Sequence, residues 1–295
     1  MSLEPPAQPA LYLGTCAWSF EEWHGVFYPP HLPAGERLAY YARFFNSVEI
    51  DSTFYAAPSA QTARHWLATS PPDFRFACKM PREITHQRRL QASRELVRDF
   101  CSSMAPLREK LKAILVQLPP YFSPRKDGKY LEPFLEDLPR DFRYAVEFRD
   151  PAWFQPKVVK LLEDHQVCWV WNDMTPPEVQ EQGAFEFFPR TTDFLYVRLL
   201  GDAGTKYLPN GERKHRYDRL MWPRDASLEN WAVRLQQMAE ESREHLIYAN
   251  NHFEGFSPAT CKRLAAKFGQ SLQLPTAEEL RPAPVRSSGQ MELQL

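Results

Sequence analysis

Apolar and polar positions along this chain repeat in a regular order. Short alternating or wholly apolar runs recur, and stretches with helical spacing separate most of them. Residues 11–16 read as a first strand. Residues 48–51 read as a second, with Val48 and Ile50 alternating with Glu49 and Asp51. Residues 74–79 alternate as a third. The run 113–118 is continuously apolar, as expected of a strand covered on both faces. Residues 144–149, 167–173, 194–199 and 245–251 complete a set of eight. Helical spacing covers 38–45, where Leu38, Tyr41 and Phe45 share a face, and a helix capped by Ser59 runs through Trp66 and Leu67. Further helices are expected over 93–111, 130–138, 153–165, 228–241 and 257–268.

Strands alternating with helices predict parallel β-α units, and eight of them in one chain predict a single-domain α/β fold, the TIM (β/α)8 barrel. A doubly wound sheet would instead carry a glycine-rich phosphate turn after an early strand. Neither GxGxxG nor GxxxxGK[ST] is present. Residues 1–10, with three prolines and little to bury, are expected to form a tail. The barrel is expected over 11–270, and a Pro-, Ser- and Gln-rich tail over 271–295.

Length and composition support this picture. The 295 residues suit a barrel, and a formal net charge of -1 provides no global positive field for nucleic acid. Five cysteines without a CxxC pair argue against a disulfide framework and a zinc ribbon, and point to the reducing cytoplasm. No signal peptide or membrane-spanning run is visible, so no membrane partner is expected.

In a barrel the chemistry sits at the carboxyl ends of the strands. Those ends carry Thr15, Cys16 and Trp18; Glu49, Asp51, Thr53 and Tyr55; Lys79 with His86 beyond it; Gln117; Glu147 and Arg149; Asn172 and Asp173; Arg198; and Asn250 with Asn251. The opposite ends, such as Leu11, Phe74 and Ala113, carry no such set. Glu49, Glu147 and Asp173 are the expected catalytic carboxylates, able to act as general acid and base. Lys79, Arg149 and Arg198 suit an anionic group, and Gln117, Asn250 and Asn251 suit hydroxyls or amides. Trp18, Tyr55 and the aromatic loop over 23–28 offer faces for a sugar or base, with Asp51, Thr53 and His86 alongside. The structural alternative is that part of this set forms polar layers and salt bridges inside the barrel, for example between Glu147 and Lys79.

The expected partner is a small phosphorylated or carboxylated, carbohydrate-like substrate. The alternative is nucleic acid, met by the aromatic loop and a basic loop over 206–219, and a third reading is a barrel that binds a regulatory ligand without catalysis. No cofactor is required. The three carboxylates are compatible with Mg or Mn. A single histidine near a strand end argues against a zinc cluster, and no metal ligands are assigned.

The quoted residues resemble those of the DUF72 family, also called YecE-like proteins. The likeness runs through Gly14-Thr15-Cys16-Ala17-Trp18, Trp23-His24-Gly25-Val26-Phe27-Tyr28-Pro29 and Val48-Glu49-Ile50-Asp51-Ser52-Thr53-Phe54-Tyr55. It continues through Phe76-Ala77-Cys78-Lys79, Ile84-Thr85-His86, Gln117-Leu118-Pro119-Pro120, Glu147-Phe148-Arg149, Tyr196-Val197-Arg198-Leu199 and Asn250-Asn251. The resemblance implies a TIM-barrel-like fold and no assigned activity. Two departures stand out. Cys16 occupies a position where the family usually has serine, and Leu200-Gly201 replaces the usual His-Gly pair after the seventh strand.

Overall fold

The structure, a computed structural model, describes residues 8–174, 188–201 and 216–281. Eight strands form one sheet: β1 (Ala10–Thr15), β2 (Ser47–Ile50), β3 (Arg75–Lys79), β4 (Leu111–Gln117), β5 (Tyr144–Glu147), β6 (Cys168–Asn172), β7 (Phe194–Leu199) and β8 (Glu244–Ala249). Their order is β1-β8-β7-β6-β5-β4-β3-β2, and every pairing is parallel. The expected TIM-type barrel is therefore present. Among the described residues no helix is long and apolar enough to cross a membrane.

The ring closes between β1 and β2, and side chains do most of the closing. A Cβ at Gly14 would lie 1.9 Å from the Ser47 carbonyl oxygen, so only glycine lets the two strands approach. The buried Tyr41 hydroxyl stands in the seam, accepting the Thr15 amide at 3.0 Å and donating to the Ser47 carbonyl at 3.1 Å. Asn46 does the same lower down, accepting from Leu13 N at 3.0 Å and donating to the Leu11 carbonyl at 2.8 Å. At the top the Ala17 amide donates to the Glu49 carbonyl at 2.8 Å.

The period of two along each strand divides the residues between two cores. Val48, Ile50, Phe76, Cys78, Ile114 and Val116 pack outward beneath the helices. Ala77, Ala113, Leu115, Ala145, Val170, Tyr196 and Tyr248 fill the barrel interior. Small residues on β3, β4 and β5 face aromatic rings on β7 and β8, which keeps the interior close-packed.

Among the boundaries that differ from those expected, three have a plain local reason. The third helix is Arg94–Met104, because Pro106 opens a short 3-10 turn before β4. The fourth is Pro124–Asp137, with proline in its first turn after Ser123, whose amide donates to Asp127 at 2.9 Å. β8 stops at Ala249, because the Asn250 side chain caps a short helix, Asn251–Glu254, by accepting from His252 N. Past residue 270, Leu272 and Leu274 pack partly buried on the core, and Arg43 pairs with Glu279 at 2.5 Å. Contacts with the barrel thus continue into the stretch expected to be a tail.

Candidate functional site in the barrel mouth

Inward-facing positions at the strand ends build the site in two tiers. Glu49, Gln117, Glu147 and Arg198 share the inward parity of the interior core and form the lower tier. The Arg198 guanidinium is 2% exposed and grips Glu49 with two bonds, Nε to Oε2 at 2.9 Å and Nη2 to Oε1 at 2.7 Å. Its Nη1 donates to Glu147 Oε2 at 2.6 Å and to Gln117 Oε1 at 3.4 Å. Tyr196, two residues earlier on β7, donates its hydroxyl to Glu49 Oε2 at 2.6 Å. Both glutamates are fully buried. Burial would raise the Glu147 carboxyl, but Arg149, then Arg198 and Lys79, outweigh it and hold the group at about 2.

The upper tier lies above this lattice. Arg149 follows Glu147 at the same parity, is 17% exposed, and donates Nε to Glu147. Asp51 follows Glu49 in the same way and is 27% exposed. Its Oδ1 has no hydrogen-bond partner and lies 3.7 Å from Lys79 Nζ and 3.9 Å from Arg198 Nη2. Lys79 Nζ sits 4.2 Å above the Phe54 ring. Among the described residues, neither Lys79 Nζ nor the two terminal nitrogens of Arg149 take a hydrogen bond. His86, whose Nδ1 lies 2.9 Å from Thr85 Oγ1, stands beside these cations. Burial first, then Lys79 and Arg149, lower its imidazole to about 4, so it is neutral near pH 7.

A cavity of ≈ 650 Å³ opens at the carboxyl ends of the strands, within the range for small-molecule sites. Cys16, Asp51, Lys79, Gln117, Arg149 and Arg198 line it from the strands. Cys16 is buried, and burial, then Glu49, pushes its thiol well up, which is the wrong direction for a nucleophile. A hollow of ≈ 670 Å³ opens at the opposite end of the barrel, but Arg143 and Arg190 in its wall are paired with Glu244 and Glu241. That end of a barrel is usually devoted to stability, which makes the hollow the weaker site.

The remaining sequence-selected residues divide by position. Asp173 accepts the Leu200 amide at 2.6 Å and the Gly201 amide at 2.8 Å, so its carboxylate holds the loop after β7. Burial raises its pKa, and the two amides partly offset that. Gly201 needs its left-handed φ of 69° and its missing side chain, since a Cβ would meet the His252 carbonyl oxygen at 2.3 Å. Thr53 pins the turn after β2 to β3: its Oγ1 lies 2.6 Å from the Lys79 carbonyl and accepts the Lys79 amide at 3.1 Å. Asn250 borders the cavity, whereas Asn251 turns away and accepts from Ser257 N and Oγ. Tyr55 stands on the rim, 72% exposed.

The aromatic loop does not offer the expected stacking faces. Trp23, Phe27 and Tyr28 are fully buried and pack edge-on against one another and against Tyr40 and Tyr41. Their rings contribute more as core than they would as solvent-facing platforms. Trp18 is half-buried and meets Trp66 edge-on at 5.9 Å. Lys206, Arg213, Lys214 and His215 of the basic loop lie outside the described residues, and Arg216 pairs with Asp218.

Sequence reasoning missed Tyr217 and His252, which border the cavity with their polar atoms 3.1 Å apart. Nothing periodic in the chain around Tyr217 marks it. Tyr196 was findable, since it shares inward parity with Arg198. Among the described residues no group of three or more His, Cys, Asp and Glu is placed to hold a metal ion.

Comparison with known proteins agrees with the fold. The family described as protein of unknown function DUF72 matches residues 12–285. The Escherichia coli K12 protein UPF0759 YecE is 36% identical over 144 residues, 49% of this chain and 50% of that protein, so this match spans about half of the relative. The Bacillus subtilis protein UPF0759 YunF is 26% identical over 257 residues, 83% of this chain and 90% of that protein. The crystal structure of a DUF72 family protein from Thermotoga maritima superposes with a TM-score of 0.73 at 30% identity, covering 88% of this chain and 100% of that one. A DUF72 family protein from Enterococcus faecalis gives 0.70 at 23% identity, with 90% and 99% covered. The chain belongs to the DUF72 family and has its TIM-barrel fold.

Proposed function

We propose that the barrel mouth binds a small phosphorylated or carboxylated, carbohydrate-like molecule and performs acid–base chemistry on it. One observation carries this reading: Lys79 and Arg149 face the cavity with N–H groups that make no hydrogen bond, Arg149 held from behind by buried Glu147 and Lys79 paired with Asp51. Three carboxylates, Glu49, Asp51 and Glu147, balance three cations, Lys79, Arg149 and Arg198, so an incoming anion meets a neutral cluster in which Lys79 and Arg149 reach the cavity beside Asp51. Preorganised cations of this kind bind anions without rearranging.

The roles follow from position. Arg149 and Lys79 hold the anion, with neutral His86 in the field of both. Asp51 is the strand-end carboxylate that faces the cavity, and beside Lys79 it forms the pair suited to moving a proton. Glu147 aims Arg149, while Glu49 and Arg198 support the floor, so these three act as positioning residues. Asp173 shapes the wall through the loop after β7.

A thermal-shift panel of sugar phosphates, sugar acids, oligonucleotides and divalent metals tests the reading. A ligand at a hundred times its Kd stabilises by about 2.7 kcal/mol, which raises the midpoint of a chain this size by several degrees. The reading expects a shift from a sugar phosphate or sugar acid that is lost in Arg149→Ala. A shift from oligonucleotides alone would transfer the site to nucleic acid.

A further inference from the structure

Tyr55 is the most exposed large apolar side chain among the described residues, yet its mounting is rigid. Its amide donates to the Ser52 carbonyl at 3.1 Å, closing the 3-10 turn Ser52–Phe54, and Thr53 in that turn is tied to β3. Its ring meets Phe54 edge-on at 5.3 Å, and the Phe54 ring carries Lys79 Nζ at 4.2 Å. The Phe54 ring thus links the Tyr55 ring to the anion-holding nitrogen. It also borders two hollows at once. One is the mouth. The other is a side groove of ≈ 370 Å³, lined in part by Phe54, Pro81, Ile84, Leu96 and Phe100.

A lone exposed tyrosine needs no explanation. One fixed beside a cation pair, on the ridge between the mouth and a groove of mixed lining, has the form of a specificity element. We propose that the mouth selects a bipartite ligand: an anionic group held by Lys79 and Arg149, joined to a sugar ring whose C–H face lies on Tyr55 and whose far edge enters the side groove. This rests on the anion-binding reading above and adds the size and shape of the molecule attached to the anion. A tyrosine suits that part because its ring presents an apolar face and its hydroxyl remains in water, where it can meet sugar hydroxyls. An acyclic or bare anion would leave the ridge unused.

The two parts separate by titration calorimetry with inorganic phosphate and glucose 6-phosphate as probes, on the wild-type chain, Tyr55→Ala, Tyr55→Phe and Arg149→Ala. Glucose 6-phosphate is expected to bind the wild type roughly tenfold more tightly than phosphate, and Tyr55→Ala to erase that advantage while changing phosphate affinity by less than about twofold. Tyr55→Phe is expected to retain most of it, and Arg149→Ala to weaken both probes. Phosphate binding that depends on Arg149, with no preference for the sugar phosphate or a preference that survives Tyr55→Ala, would overturn this inference and leave anion binding standing. Failure of both probes to bind would overturn the two together.

Discussion

Replacing Arg198 with methionine separates a structural strut from a ligand clamp. The substitution keeps most of the buried volume and removes the charge from between two fully buried glutamates. Leaving buried charges unpaired costs about 3–5 kcal/mol. The carboxyl of Glu147 gives an independent scale: its fall from 4.5 to about 2 corresponds to about 3 kcal/mol of differential interaction, shared between Arg149, Arg198 and Lys79. Since the folded value is depressed, that stabilisation is complete above the unfolded carboxylate value and is lost as pH falls from about 4.5 toward 2. Arg198→Met is therefore expected to lower the melting midpoint at neutral pH by roughly 5–15 °C. The gap to wild type should narrow as pH falls from about 4.5 toward 2, where protonation of Glu147 removes what the lattice contributes. Adding Glu49→Gln and Glu147→Gln should recover part of the loss, because no fully buried carboxylate is then left unpaired, although Arg149 loses Glu147. Circular dichroism melts at the two pH values read all of this. A variant that melts like wild type but no longer binds anions would refute the strut and return Arg198 to the clamp.

Two further substitutions test the frame around the site. Tyr41→Phe leaves the Thr15 amide and the Ser47 carbonyl without their shared hydroxyl, and is expected to cost about 2–4 kcal/mol, read by chemical or thermal denaturation. Asp173→Asn turns one of two amide-accepting oxygens into a donor facing an N–H group, so it should cost about 1–3 kcal/mol and weaken ligand binding through the loop after β7. Unchanged stability with lost turnover would instead mark Asp173 as a catalytic acid.

The fold was legible because its physics is local. Each strand shows its own alternating or apolar run, and reading the carboxyl end of each run gathered Glu49, Lys79, Gln117, Glu147 and Arg198 at one end of the barrel. It also placed Asp51 and Arg149 one step higher. Pairing between those residues was not legible. Sequence shows three cations and several carboxylates, but only geometry shows that Arg198 spends its donors on Glu49 and Glu147 and that Asp173 spends its acceptors on backbone amides. The loop over 23–28 misled for a related reason: composition marks it as aromatic, and whether its rings face water or the core depends on the distant helix bearing Tyr40 and Tyr41. Tyr41 and Asn46 are the plainest omission, since nothing local announces a side chain that stands in for a strand ladder.

The most direct test of an anion held between Lys79 and Arg149 is the titration of His86, which lies in the field of both. Nitrogen-15 NMR of the ring would follow its pKa in the free chain and at saturating sulfate, whose charge is constant over this range. The imidazole should start near its depressed value of about 4 and rise on saturation, by about one unit or more, as the anion offsets the two cations. The same titration in Arg149→Ala should start higher and respond less. A sulfate that binds while His86 stays where it began would place the anion elsewhere and contradict the account.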